Sequence, residues 1–311
     1  MTAVAGVRSG VPPRRVEAAV VAVEPWGGYV RVVLAGEPLG RSLPGQFLAV
    51  ATGDADSAMV AARAFGVHDA DPLAGTASVV VSPIGPGSRW LAGRRAGDRV
   101  PLTGPLGRPF TLPGAGATWV GVGGGYGSAA LAWAARSARA RGARAAVVTG
   151  AGTRDRLCDT PALRAALGDD LHVATDDGTA GRRGSVLPVL SGVLDTVLGE
   201  PDRRVSLSAC GPMAMLAAVA AAVAARSDAD RVAAEVAVEE RMACGVGVCM
   251  TCVLPVIGPD GVTRMARSCT DGPVLPVGAV RWDAVDALGS AVPADAEGAP
   301  AVMPAPSGFT R

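Results

Sequence analysis

The chain contains no lysine; all 29 of its basic residues are arginine. Against 28 acidic residues the formal net charge is +1, which excludes a general attraction to nucleic acid or to an acidic membrane. With so much Ala and 42 Gly, the arginine-only habit looks like GC-rich coding bias, so a lone Arg is a weaker sign of a phosphate site than usual. Aromatics make up only 4% of the residues, but the 49% apolar share is enough for ordinary cores. No long apolar run is present. The longest, MAMLAAVAAAVAA at 213–225, falls short of the roughly 20 residues that a membrane span needs. The N-terminus lacks the apolar stretch of a signal peptide. A cytoplasmic protein is expected, in a compartment where thiols stay reduced and suit metal ligation.

What is present is concentrated near the C-terminus. Cys244, Cys249, Cys252 and Cys269 follow the pattern C-x4-C-x2-C with one distant Cys. That is the plant-type ligand spacing for a 2Fe-2S cluster. Three thiolates on one short loop must converge, and a fourth must arrive from a separate segment. Gly245 and Gly247 let that loop fold tightly and bring N–H groups close to sulfur. Zinc is the competing reading. It usually takes paired C-x2-C knuckles or Cys/His mixtures, and here there is one C-x2-C with neither His68 nor His172 nearby. A pair of disulfides would need a secreted chain. Cys158 has no motif around it and reads as structural.

The 311 residues should form two or three domains. Residues 1–112 carry short β-rich runs broken by Gly, Pro and Asp, the pattern of an antiparallel barrel or sandwich. Over 113–235 strands and helices alternate, which means a parallel sheet with crossover helices. The predicted helices include one from Ser128 and one over 185–197 interrupted at Pro188. A small cysteine domain is expected over 236–285, and a Pro/Ala-rich disordered tail over 286–311.

Three further motifs bear on chemistry. Gly123, Gly124 and Gly125 lie between a predicted strand and helix, where small residues let a phosphate approach backbone N–H groups; a tight strand–helix turn is the alternative. Cys210, Gly211 and Pro212 sit at the next such junction. A thiol there could touch a nicotinamide ring, or be a small buried hydrophobe. In the β-rich part, Arg63-Ala64-Phe65-Gly66, Val80-Val81-Ser82 and the Gly87-Ser88 turn could hold a pyrophosphate and a flavin ring, or be a strand end and a plain turn.

Taken in this order, the pieces resemble the ferredoxin–NADP reductase superfamily. More specifically they are similar to the iron–sulfur electron-transfer subunits of two-subunit, NAD-dependent dihydroorotate dehydrogenases, over roughly residues 14–282. The most specific stretch runs from Glu239 to Val274. The family's Arg-Pro-aromatic-Ser pattern for FAD appears as RAFG, and its GGGxGxxPL loop as GGGYGSAAL. Ala64 and Ala130 stand where the family has Pro, and Gly66 where it has a hydroxyl residue. The resemblance implies an FAD-binding barrel, a Rossmann-like NAD-binding domain and a small 2Fe-2S domain. It also implies an FMN-containing catalytic partner, in a heterotetramer that serves pyrimidine biosynthesis. Residues 63–66, 80–82, 87, 88, 123–125, 211 and 212 would bind FAD and NAD, Cys210 would face the nicotinamide, and the four cysteines would hold the cluster. A similar reductase subunit for another partner, such as a ferredoxin:NAD(P)H oxidoreductase, is the neighbouring alternative. A zinc-stabilised binding protein is the remote one.

Overall fold

The computed structural model describes residues 11–54, 57–158 and 160–285. The tail at 286–311 lies outside them. Six antiparallel strands close a barrel: β1 (Arg14–Trp26), β2 (Tyr29–Ala35), β3 (Phe47–Val50), β4 (Arg63–Asp71), β5 (Thr76–Val81) and β6 (Arg99–Leu106). Their order around the barrel is β1-β2-β5-β4-β3-β6. The core follows from a period of two. Ala18 and Val20, Val32 and Leu34, Leu48 and Val50, Val79 and Val81, and Val100 and Leu102 all point inward. Closure leaves no free edge. The Gly-Pro turn after β5, read from sequence only as a break, starts a short helix, α1 (Pro86–Ala92), whose Leu91 joins the barrel core. Proline is at home in its first position, where no N–H is needed.

The second layer system is a parallel sheet. Its elements are β7 (Ala117–Gly124), α2 (Leu131–Ala140), β8 (Arg144–Ala151), α3 (Thr160–Leu167), β9 (Leu171–Thr175), β10 (Arg182–Arg183), α4 (Val186–Leu198), β11 (Arg204–Cys210), α5 (Met213–Ala224) and β12 (Val232–Ala237). The parallel order is β10-β9-β8-β7-β11-β12. Alternate residues feed two cores. Val120, Val122 and Val148 pack beneath α4 and α5, while Trp119 and Val147 pack beneath α2 and α3. Two helices differ from their predicted course. A 3-10 turn occupies Gly125–Ala130, so α2 begins at Leu131. Helix α4 runs unbroken through Pro188, which falls in its first turn, where N–H groups have no helical partner to lose.

The cysteine segment is joined to this sheet. It forms a hairpin, β13 (Val253–Ile257) and β14 (Thr263–Arg267), and then β15 (Val274–Pro276), which pairs antiparallel with β12 as a seventh strand. Barrel and sheet also meet directly. Trp133 of α2 packs on the barrel core, and the Tyr29 hydroxyl donates to the Arg156 carbonyl at 2.8 Å. Among the described residues, no helix is long and apolar enough to cross a membrane.

Candidate functional site

A cavity of about 170 Å³ opens where the three parts converge. The barrel contributes Phe47, Ala64, Gly66 and Val80, the sheet contributes Tyr126 and Cys210, and the cysteine segment contributes Glu239 and Met242. It is therefore walled by residues from both strand-end motifs and from the RAFG strand.

Beside it lies a polar cradle. A Cβ on Gly87 would come within 2.7 Å of Thr52 Oγ1 and 3.1 Å of Arg63 Cγ, so glycine is what lets α1 approach β4 here. The Thr52 hydroxyl is buried and has no hydrogen-bond partner. Arg63 is exposed, and its guanidinium rests on the carbonyls of Ala61 and Ala62 at 2.8 and 3.3 Å. An orphaned hydroxyl, a guanidinium and a helix start fit a dinucleotide pyrophosphate. Ser88 is less available. Its hydroxyl accepts from Gly85 N at 3.0 Å and donates to Gly85 O at 3.1 Å. Val80 faces the cavity, whereas Val81 packs inside the barrel and Ser82 opens the following turn.

The two strand-end glycine motifs pack against each other. A Cβ on Gly127 would lie 2.6 Å from the Cys210 carbonyl oxygen, and one on Gly124 would lie 2.7 Å from Met215 Sδ. Gly123 is filled by Ser128, whose hydroxyl meets Thr149 Oγ1 at 2.6 Å. Of the predicted trio, Gly125 alone has open space above it, with φ +56°. Close packing thus accounts for Gly123 and Gly124, and the positive φ accounts for Gly125. Gly211 and Pro212 belong to the same contact, since both approach Gly124.

Cys210 ends β11 at the cavity wall. Burial and the nearby Glu239 push its thiol up to about 12, so it stays neutral. Glu239 is itself raised by burial, against a hydrogen bond from Tyr126. Burial, then Glu239, raises the Tyr126 phenol as well. A neutral thiol, a phenol and a carboxyl therefore share one wall. Further along the sheet, the Arg154 guanidinium donates to Thr179 O at 3.0 and 2.6 Å. It is committed to its own loop.

The cysteines form two pairs. The Cys249 N–H donates to Cys244 Sγ at 3.5 Å, and Cys252 and Cys269 lie together in one buried cluster. Cys252 and Cys269 are buried with Phe47, Ala49 and Leu106 on the outer face of the barrel. Cys249 is exposed. Gly245, at φ +71°, lets the loop sit on the barrel, because a Cβ there would lie 2.9 Å from that of Ala49. Burial pulls Cys244 upward. The N–H groups of Cys249, Val246 and Val248 more than offset it and bring the thiol down to about 6. Burial and Cys252 raise Cys269 to about 12. Ser268 and Thr270, on either side of Cys269, hold buried hydroxyls without partners. Among the described residues no three His, Cys, Asp or Glu side chains surround one ion. Two thiol pairs with spare donors around them fit a two-iron, sulfide-bridged cluster better than a single tetrahedral ion.

Comparison with known proteins agrees with this geometry. Residues 239–281 match the family described as the iron-sulfur cluster binding domain of dihydroorotate dehydrogenase B. The electron transfer subunit of dihydroorotate dehydrogenase B (NAD(+)) from Desulforamulus reducens is 32% identical over 244 residues, 78% of this chain and 88% of the relative. The chain belongs to this family. The corresponding subunit from Shouchella clausii is 36% identical over 254 residues, 80% of this chain and 91% of that one. The fold is shared with the NADH-dependent reduced ferredoxin-NADP oxidoreductase, at a TM-score of 0.70 and 24% identity, over 86% of this chain and 91% of that one. Membership of the dihydroorotate dehydrogenase B electron transfer subunits accounts for the 2Fe-2S, FAD and NAD motifs together.

Several residues of this family member carry no sequence signal of the contacts they make. Thr52 is an isolated Thr in a loop. Tyr126 stands inside the glycine loop, where it reads only as a departure from a glycine pattern. Glu239 borders the cysteine motif and was legible as part of it, but its pairing with Tyr126 is purely tertiary.

Proposed function

We propose that the chain is the electron-transfer half of a cytoplasmic dihydroorotate dehydrogenase, taking electrons from an FMN-bearing catalytic subunit in a heterotetramer and delivering them to NAD⁺. When bound, a 2Fe-2S centre supplies one-electron transfer and FAD joins it to two-electron hydride chemistry. Cys244, Cys249, Cys252 and Cys269 hold the cluster; Arg63, Thr52 and the start of α1 hold the FAD pyrophosphate. RAFG and Val80 line the flavin's seat. Cys210, with Gly211 and Pro212, faces the nicotinamide, and its neutral thiol leaves that surface free of a competing charge.

One observation carries the reading. Phe47 lines the cavity and also packs with Cys252 and Cys269, while Cys210 stands on another wall of the same cavity. That arrangement supports a nicotinamide side and a cluster side on either flank of one cavity, with the flavin between them. The chain's motifs include none for a pyrimidine. The apolar rim around exposed Cys249, formed by Val246, Val248 and Met250, is the surface on which the partner docks; these residues are 46%, 78% and 50% exposed. The test is to assay this chain with and without a candidate FMN subunit. Alone it should oxidise NADH with a dye and leave dihydroorotate untouched. With the partner it should reduce NAD⁺ from dihydroorotate. Dihydroorotate-dependent NAD⁺ reduction by the chain alone, or no gain on adding the partner, overturns the reading.

A further inference from the structure

The cysteine loop receives two kinds of hydrogen bond. Those to Cys244 come from the backbone, from Val246, Val248 and Cys249 at 3.4, 3.4 and 3.5 Å. Any side chains would leave them in place. The other is a choice of side chain. The Thr251 hydroxyl donates to Cys249 Sγ at 3.1 Å, the one hydroxyl among the described residues seen to donate to a cysteine sulfur. Ser268 and Thr270 flank the buried pair, yet their hydroxyls have no partner. Cys249 is thereby distinguished from the other three thiols. It is exposed, and its side-chain donor is held two residues away on the same loop.

We propose that Thr251 is a positioning residue that raises the reduction potential of the cluster by keeping a hydroxyl proton on the Cys249 sulfur. This rests on the assignment of Cys249 as a ligand under the proposed function. The physical reason is charge. Reduction adds one electron and no proton, and part of the added negative charge resides on the ligand sulfurs. A donor aimed at one of them stabilises the reduced form more than the oxidised form. The hydroxyl keeps its own proton throughout. The electron comes from the partner in turnover, and from dithionite in the test. Because Cys249 faces solvent, water could replace a donor that is merely deleted. The informative change is therefore Thr251→Val, which keeps the bulk and removes the donor.

The experiment is a redox titration of the holoprotein, followed by the electron paramagnetic resonance of the reduced cluster. Resonance Raman spectra in H₂O and D₂O give a second reading. At the potential where the parent is half reduced, Thr251→Val should show a several-fold lower ratio of reduced to oxidised cluster; tenfold would be 59 mV for a one-electron couple. Thr251→Ser should return to within about twofold of the parent ratio, because the donor is restored. The iron–sulfur stretch in Thr251→Val should lose part of its deuterium sensitivity, and Thr251→Ser should recover it. If Thr251→Val does not retain the cluster, Thr251→Ala is titrated in its place with the same expectation at smaller amplitude. Variants that keep the cluster and titrate with the parent overturn the proposal while leaving the ligand assignment intact. A parent protein without a 2Fe-2S spectrum overturns both.

Discussion

Asp69 of β4 and Arg136 of α2 meet at 2.6 Å across the seam between barrel and sheet. Both are partly exposed, so the ion pair is worth at most about 1 kcal/mol. Trp133, one turn earlier on α2, packs on the barrel core. The seam should therefore be held by the indole. Trp133→Ala should lower the unfolding free energy by about 2–4 kcal/mol, somewhat under the range for a fully buried Trp. Arg136→Ala should cost less than about 1 kcal/mol. Denaturant titration of both variants checks the order, and equal losses would refute it.

FAD retention should depend on the cradle at the start of α1. Arg63→Ala should weaken FAD binding by about 1.5–3 kcal/mol, the range for a hydrogen bond to a charged group. Thr52→Val should cost about 0.5–1.5 kcal/mol, since it removes one neutral donor from a site where it has no other partner. Equilibrium dialysis of flavin measures both. A Thr52→Val protein that binds FAD like the parent would mean that the orphaned hydroxyl faces something else.

Each of Cys244, Cys249, Cys252 and Cys269 changed to Ser should bleach the iron–sulfur absorbance. Cys158→Ser and Cys210→Ser should stay coloured, because Cys158 is buried away from the loop and Cys210 lies on the far wall of the cavity. An unchanged cluster spectrum in Cys252→Ser would remove the assignment.

Glu235 gives a pH dependence with a definite sign. Burial raises its carboxyl above the ordinary 4.5, against hydrogen bonds from Ser208 and Thr111. The folded state thus holds this proton more tightly than the unfolded state. The stability it contributes is complete below the unfolded value and is lost as pH rises through the raised folded value. Glu235→Gln keeps an acceptor for Thr111 N, now at 2.7 Å, and for the Ser208 hydroxyl, now at 2.8 Å, without the charge. Its unfolding free energy should gain on the parent as pH climbs from 4.5 towards neutrality. A difference that stays flat over that window would contradict the shift.

Much of this arrangement was legible in the residues, for identifiable reasons. The cysteine spacing is local, since a 2Fe-2S cluster dictates which positions on one loop can reach it. The barrel and the parallel sheet announced themselves by period-two runs and by alternating strand and helix. What escaped depends on distant segments meeting. Helix α4 looked broken because a proline is read as a breaker until its distance from the helix start is known. Gly123 and Gly124 read as a phosphate loop, while the packing of Ser128 and Met215 against them was not legible, because Met215 arrives 91 residues beyond Gly124. Thr52 and Arg63 become one cradle only after β4 and α1 are laid side by side.

The pairing of β15 with β12 bears on how such a protein can be inherited and rebuilt. A redox domain hung on a linker can be traded between genes, cut off or moved to the other terminus with little loss. Here the residues that follow Cys269 finish the nucleotide-binding sheet. Cutting the chain after β12 would strip that sheet of its last partner and bare an adhesive edge. Recombination that exchanges the cysteine segment has to carry a matching β12 with it. Engineers who want a different cluster on this scaffold should splice within the segment between Val238 and Pro273, hairpin included, and leave β12 and β15 native.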